Sequence, residues 1–97
     1  MTEVSVRKNE IKVVGHAQPD KKEPDIICAA VSILVQNLAY SIHDLTKDKI
    51  TYTEETAKAI IGLDFENLSE ESKTLIDSFF LGICRIANEF PNNVRIM

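Results

Sequence analysis

Apolar and polar positions alternate at the start of the chain. Val4 and Val6 are separated and flanked by Glu3, Ser5 and Arg7, and this period of two predicts a strand over residues 2–8. Asn9-Glu10 reads as a tight turn. Ile11, Val13 and Val14 predict a second strand that ends at Gly15-His16 and completes an N-terminal hairpin. Residues 17–24, AQPDKKEP, are charged and carry two prolines, so they read as an exposed loop. The period then changes. Asp25 is a natural N-cap, and Ile26, Ile27 and Cys28 take the first three helical positions. Val31, Leu34, Val35, Leu38, Ile42 and Leu45 recur at helical spacing on one face. Ile27, Ala30 and Ile33 widen the apolar surface, which predicts a helix covered on more than one side.

The second half repeats the order without repeating the sequence. Ile50 to Thr53 favours a strand by β-branching and aromatic content. Residues 59–63 read as its partner, with the turn near Glu54-Glu55; residues 53–58 are also compatible with the start of a short helix. Ser69 followed by Glu70 and Glu71 marks a helix start, with acidic residues complementing the dipole. Leu75, Ile76, Phe79, Phe80, Ile83, Ile86, Ala87 and Phe90 supply its apolar face. Pro91 stops it, Asn92-Asn93 turn the chain, and Val94-Arg95-Ile96 read as a closing strand. The predicted order is ββα-ββα-β. It implies an α+β, two-layer sandwich with two helices on one face of a roughly five-stranded mixed or antiparallel sheet. The 97 residues are expected to form a single domain.

Charge narrows the function. Fifteen acidic against eleven basic residues leave a formal net charge of −4. That argues against direct nucleic-acid binding, which needs a basic patch for phosphates, and it is compatible with a basic partner. The N-terminal residues MTEVSVRKNEIKVV lack the apolar run of a signal peptide. The run from Ile26 to Val35 is interrupted by Ser32 and followed by Gln36 and Asn37, and it is read as too short to span a bilayer. A cytoplasmic location with reduced thiols is expected. Two histidines and two cysteines without clustered spacing predict no metal site.

The chemistry concentrates in residues 15–32, GHAQPDKKEPDIICAAVS. His16 stands at a strand end, and Cys28 follows in the first turn of a helix. The thiolate is the reactive form of cysteine, and a helix N-terminus and a neighbouring imidazolium both favour it. First-turn N–H groups lack intrahelical partners, so they can also hold the oxyanion of a tetrahedral intermediate. His16 is then the candidate general base and acid, and Cys28 the nucleophile. Each has a plainer reading. Free cysteine is among the most buried residue types, and a histidine at a strand end is commonly structural. Gly15 indicates a bent or closely approached backbone. Asp25 is most economically the helix cap, with orientation of the imidazole as a second role. Ser32, one turn after Cys28, either hydrogen-bonds near the thiol or back-bonds to the helix carbonyl. Cys84 is expected in the core. His43 is expected to complement the negative end of the first helix; Tyr40, Tyr52, Phe65 and the Phe79-Phe80 pair are expected in core or interface, with a substrate groove using one of them as the alternative reading.

Gly15-His16-Ala17, a loop, then Asp25-Ile26-Ile27-Cys28-Ala29-Ala30-Val31-Ser32 resembles the signature of the bacterial ribosomal-processing cysteine protease family, Prp. Length and element order agree with the resemblance over the whole chain. The resemblance implies an α+β sandwich, a homodimer, no metal or organic cofactor, and a mobile loop between histidine and cysteine. It implies a catalytic dyad of His16 and Cys28. It also implies a substrate: the N-terminal extension of the twenty-seventh protein of the large ribosomal subunit. One departure is visible. Family members often carry a glycine shortly before the aspartate, whereas this chain has Pro24 there and no glycine from Ala17 to Cys28, which predicts a stiffer loop.

Three functions follow in order of preference. The first is an endopeptidase using Cys28 and His16. The second is a non-catalytic, ribosome-associated binding module in which Cys28 merely packs. The third is a thiol redox sensor, which would need Cys84 close to Cys28 in space.

Overall fold

The structure is a computed structural model, and it describes residues 1–15 and 26–97. Five strands and two long helices follow the expected order: β1 (Thr2–Val6), β2 (Glu10–Gly15), α1 (Ile26–Leu45), β3 (Ile50–Glu55), β4 (Ile60–Phe65), α2 (Glu70–Glu89) and β5 (Val94–Ile96). The sheet order is β3-β4-β2-β1-β5. Neighbours are antiparallel except β1 and β5, which run parallel. The sheet is therefore mixed.

One face of the sheet is buried under both helices. Val4 of β1, Ile11 and Val13 of β2, and Ile61, Leu63 and Phe65 of β4 alternate with exposed or half-buried residues. They meet Val31, Val35, Leu38, Ala39 and Ile42 of α1 and Phe79 and Ile83 of α2 in one core. Full burial of one such aliphatic side chain contributes about 1.5–3 kcal/mol. The helices also touch each other, α1 also contacts β3, and α2 also contacts β5. Gly82 sits where they cross, with the Leu34 side chain 3.4 Å from where its Cβ would be.

The second helix starts as its sequence predicts. Ser69 caps α2, its hydroxyl accepting from the Ser72 N–H. The cap is itself held from outside. Asp48, in the turn after α1, accepts from the Ser69 N–H at 3.0 Å and the Ser69 hydroxyl at 2.6 Å. The fully buried Ser72 hydroxyl donates to the same carboxylate oxygen. These bonds hold the Asp48 carboxyl below its ordinary range, the Ser69 hydroxyl contributing most.

Several expectations need correcting. β1 stops at Val6, because the Arg7 N–H already bonds the Glu10 carbonyl across the turn. The turn between β3 and β4 comes later than Glu54-Glu55. Both glutamates are still in β3, and the reversal is a 3-10 turn over Thr56–Lys58 followed by Ala59 with φ of 53°. Leu45 is 72% exposed. It ends α1, and the chain leaves at Thr46, whose N–H and hydroxyl bond the Ile42 carbonyl. Phe79 is buried while Phe80 is not, since adjacent helical residues point in different directions. Phe90 is exposed and Cys84 is half-buried rather than enclosed; Tyr40 is exposed, which leaves the interface half of its expectation and not the core half. By length and composition α1 is apolar enough to cross a membrane, contrary to the reading from its polar interruptions. Its buried stripe instead lies in the core between sheet and α2.

Candidate active site

Two segments distant in sequence meet at the end of β2. The strand closes at Gly15, whose N–H donates to the Ala59 carbonyl at 2.8 Å. Ala59 follows the 3-10 turn between β3 and β4. The third residue of α1, Cys28, comes down onto the same point. A Cβ on Gly15 would stand 2.9 Å from the Cys28 sulfur. Any Cβ here would force the sulfur to shift, so glycine is favoured by contact rather than by backbone angle; no glycine among the described residues has positive φ.

Cys28 is half-buried and lies outside any disulfide, as does Cys84. It opens onto a cavity of about 170 Å³. Gly15, Cys28 and Ser32 form one side, and Glu54 and Glu55 from the end of β3 with Thr56 from the following turn form another. Ser32 therefore shares the cavity with the thiol, as its spacing of one helical turn predicts. Two carboxylates border it. The Glu54 Oε2 accepts from the Tyr52 hydroxyl at 3.4 Å, and Glu55 pairs with Lys58 at 3.6 Å on the surface. Burial, and then the charge of Glu54, push the Tyr52 phenol up from its ordinary value.

The structure brings Cys28 and Ser32 together; His16 and Asp25 lie outside the described residues. Sequence reading missed the contribution of β3 and the following turn. Glu54 to Ala59 carry no motif and lie more than 25 positions beyond Cys28, so only strand pairing delivers them. Two larger depressions, of about 540 and 550 Å³, lie at the other end of β2 around Asn9, Phe65 and Glu66. Neither is lined by a cysteine or histidine, whereas the smaller cavity is lined by Cys28. Elsewhere, His43 is in the last turn of α1 as expected, exposed, with Nδ1 2.9 Å from Asp44 Oδ1. Among the described residues no group of three or more histidine, cysteine or acidic side chains could hold a metal ion.

The family model for cysteine protease Prp matches residues 1–95. The chain belongs to the Prp cysteine protease family. Its enzyme class, a cysteine protease, follows from that membership. The ribosomal processing cysteine protease Prp of Mycoplasma genitalium is 28% identical, covering 99% of this chain and 94% of its own. Two crystal structures of the essential ribosomal processing protease Prp from S. aureus share the fold. The form with a covalently linked product peptide superposes with a TM-score of 0.82 at 17% identity, covering 98% of this chain and 94% of its own. The form with a substrate peptide gives 0.84 at 16% identity, covering 99% and 95%. At that identity the two Prp structures speak for the α+β architecture alone.

Proposed function

We propose that this protease removes the N-terminal extension of the twenty-seventh protein of the large ribosomal subunit, with Cys28 as nucleophile and His16 as general base and acid. The observation that carries the reading is the approach of Gly15 to Cys28 at the mouth of a cavity. His16 follows Gly15 directly in the chain, so the proposed base is bonded to the residue that abuts the thiol. The relatives named for ribosomal processing support the substrate class. The net charge of −4 is compatible with a basic ribosomal protein.

The Cys28 thiolate adds to the scissile carbonyl, forming a C–S bond and an oxyanion. Backbone N–H groups of the first turn of α1 stabilise that oxyanion. The carbonyl re-forms, the C–N bond breaks, and His16 delivers the proton to the departing amine. Water, deprotonated by His16, then hydrolyses the thioester and restores the thiol. Asp25, which directly precedes α1 in the chain, has the role of helix cap in this reading, with orientation of the imidazole as its second role. Ser32 offers a hydroxyl beside the thiol. The enzyme acts in the cytoplasm as a homodimer; exposed apolar residues on both helices, Ile33 at 62% and Leu81 at 65%, are compatible with a partner copy.

The test is mass-spectrometric detection of cleavage of the host's extended large-subunit protein by wild type, Cys28→Ala and His16→Ala in parallel. A single N-terminal cut by wild type alone is the expected result. Cleavage by a folded Cys28→Ala protein would sink the mechanism. A folded wild type that makes no cut, with Cys28 slow to alkylate, would favour the binding module.

A further inference from the structure

A second cavity lies along the same two elements as the cavity at Cys28. Its two walls, α1 and β3, continue together along the molecule. On α1 the residues facing β3 recur at helical spacing: Cys28 and Ser32 beside Glu54, then Gln36, Ala39, Tyr40 and His43 beside Ile50 and Tyr52. This second group encloses a cavity of about 200 Å³. Ala39, Ile50 and the two tyrosine rings make it apolar, with polar atoms of Gln36 and His43 at its border. The Tyr52–Glu54 hydrogen bond joins the two cavities along the same face of β3. Among the described residues β3 ends the sheet, and the pocket opens between that edge and α1.

The dimensions of the two walls agree. From Cys28 to the Ala39–Tyr40 level, α1 rises about 17 Å at 1.5 Å per residue. The six residues of β3 cover a similar length at about 3.3 Å each. An extended polypeptide laid along the edge of β3 would therefore reach from the thiol to the apolar pocket in about five residues. Because strand side chains alternate, every second one would point beneath α1.

We propose that the groove between α1 and β3 is the extended substrate-binding cleft of this protease, and that its Tyr40–Tyr52 pocket takes a large apolar side chain about five residues from the scissile bond. This rests on the protease reading above. The occupant is a stretch of substrate because the pocket lies in line with the Cys28 cavity, between the same helix and the same strand. It is apolar because the walls are, and one large side chain fills the volume. Tyr40 is 69% exposed and Tyr52 36% exposed, so both rings have surface left to cover. Aromatic anchors of this kind carry a large share of binding energy at recognition sites.

The experiment uses the full chain and a fluorescein-labelled synthetic peptide spanning the processing site of the extended large-subunit protein. Binding is measured by anisotropy on Cys28→Ala, which removes the chemistry. Cleavage is measured on the active protein. Adding Tyr52→Ala or Tyr40→Ala should raise Kd by about ten-fold, the scale of one lost apolar contact. In the active protein KM should rise alike, with kcat and the rate of Cys28 alkylation by iodoacetamide unchanged. Alanine scanning of the peptide should show a second maximum of sensitivity four to six residues from the cut. Tyr40→Ala alters only an exposed position, so it keeps the test valid if Tyr52→Ala unfolds.

Unchanged Kd and KM in the tyrosine variants of a protein that does cleave would overturn the groove and leave the protease reading standing. Peptide that binds through the tyrosines but is never cut would support the groove and sink the protease reading. No binding at all would overturn the proposal. Loss of a dimer with unchanged KM would make the pocket an interface between copies, and would overturn it as well.

Discussion

Gly15 and Cys28 are in contact across the end of β2: the sulfur occupies space that any larger residue at position 15 would need, 2.9 Å from the missing Cβ. The thiol has one short side chain with a single torsion to adjust, so an added methyl group displaces the reactive atom itself. Gly15→Ala is therefore expected to cost only ~1–3 kcal/mol of stability as local overpacking, yet to lower kcat/KM by one to two orders of magnitude, as small misplacements at reacting atoms do. Parallel measurement of thermal unfolding and peptide cleavage checks it. Full activity in Gly15→Ala would show that the thiol works from another position.

Asp48 ties the turn after α1 to the start of α2 through Ser69 and Ser72. Its carboxyl is held below the ordinary value of 3.8, chiefly by the Ser69 hydroxyl. A lowered folded-state value means that the charged form favours the fold. That contribution is complete above the ordinary carboxylate range and is lost as pH falls from about 4 through the lowered value. Asp48→Asn should melt earlier than wild type at pH 7. The two melting temperatures should converge as the pH falls from about 4. A constant gap down to pH 2 would contradict the assignment.

Gly82 lies mid-helix where α1 and α2 cross. A methyl group there would meet Leu34 at 3.4 and 3.8 Å, which is ordinary contact or slightly tight. The gain in helix propensity over glycine is ~1 kcal/mol. Gly82→Ala should thus stabilise by roughly 0.5 kcal/mol after the contact is accommodated. Gly82→Leu should destabilise by ~1–3 kcal/mol, because the helices cannot close over it. Denaturant midpoints at constant m-value distinguish the two.

Ile83 and Leu81 are neighbours in sequence with opposite environments, 0% and 65% exposed. Ile83→Ala should cost ~2–5 kcal/mol through lost burial and a residual cavity. Leu81→Ala should change monomer stability by no more than ~0.5 kcal/mol. Urea unfolding, with sedimentation to follow the oligomeric state, separates a core effect from an interface effect.

The element order of this fold is written in local patterns. Period two in residues 2–6 and 11–15, and period 3.6 in α1 and α2, follow from which positions must be apolar to face one core. The α2 start is legible for the same reason: Ser69 and its acidic followers act within one turn of chain. The position of Cys28 was legible as well, because its placement in a first helical turn is a local fact. So was a close approach at Gly15, although not that Cys28 makes it.

Contacts between segments far apart in sequence leave no such trace. Nothing near Asp48 announces that it holds the cap residue of a helix 21 residues away. Phe79 and Phe80 are equivalent as letters, and only the orientation of α2 on the sheet buries one and exposes the other. Tyr40 is likewise sent to the surface by the angle at which α1 lies, as Leu45 is by where α1 ends. The wall of the active cavity formed by Glu54 to Ala59 exists because β4 pairs with both β2 and β3. Local free energies are short-ranged and can be read residue by residue. Strand order and helix packing depend on the whole chain closing around one core, and that closure set β3 beside the thiol.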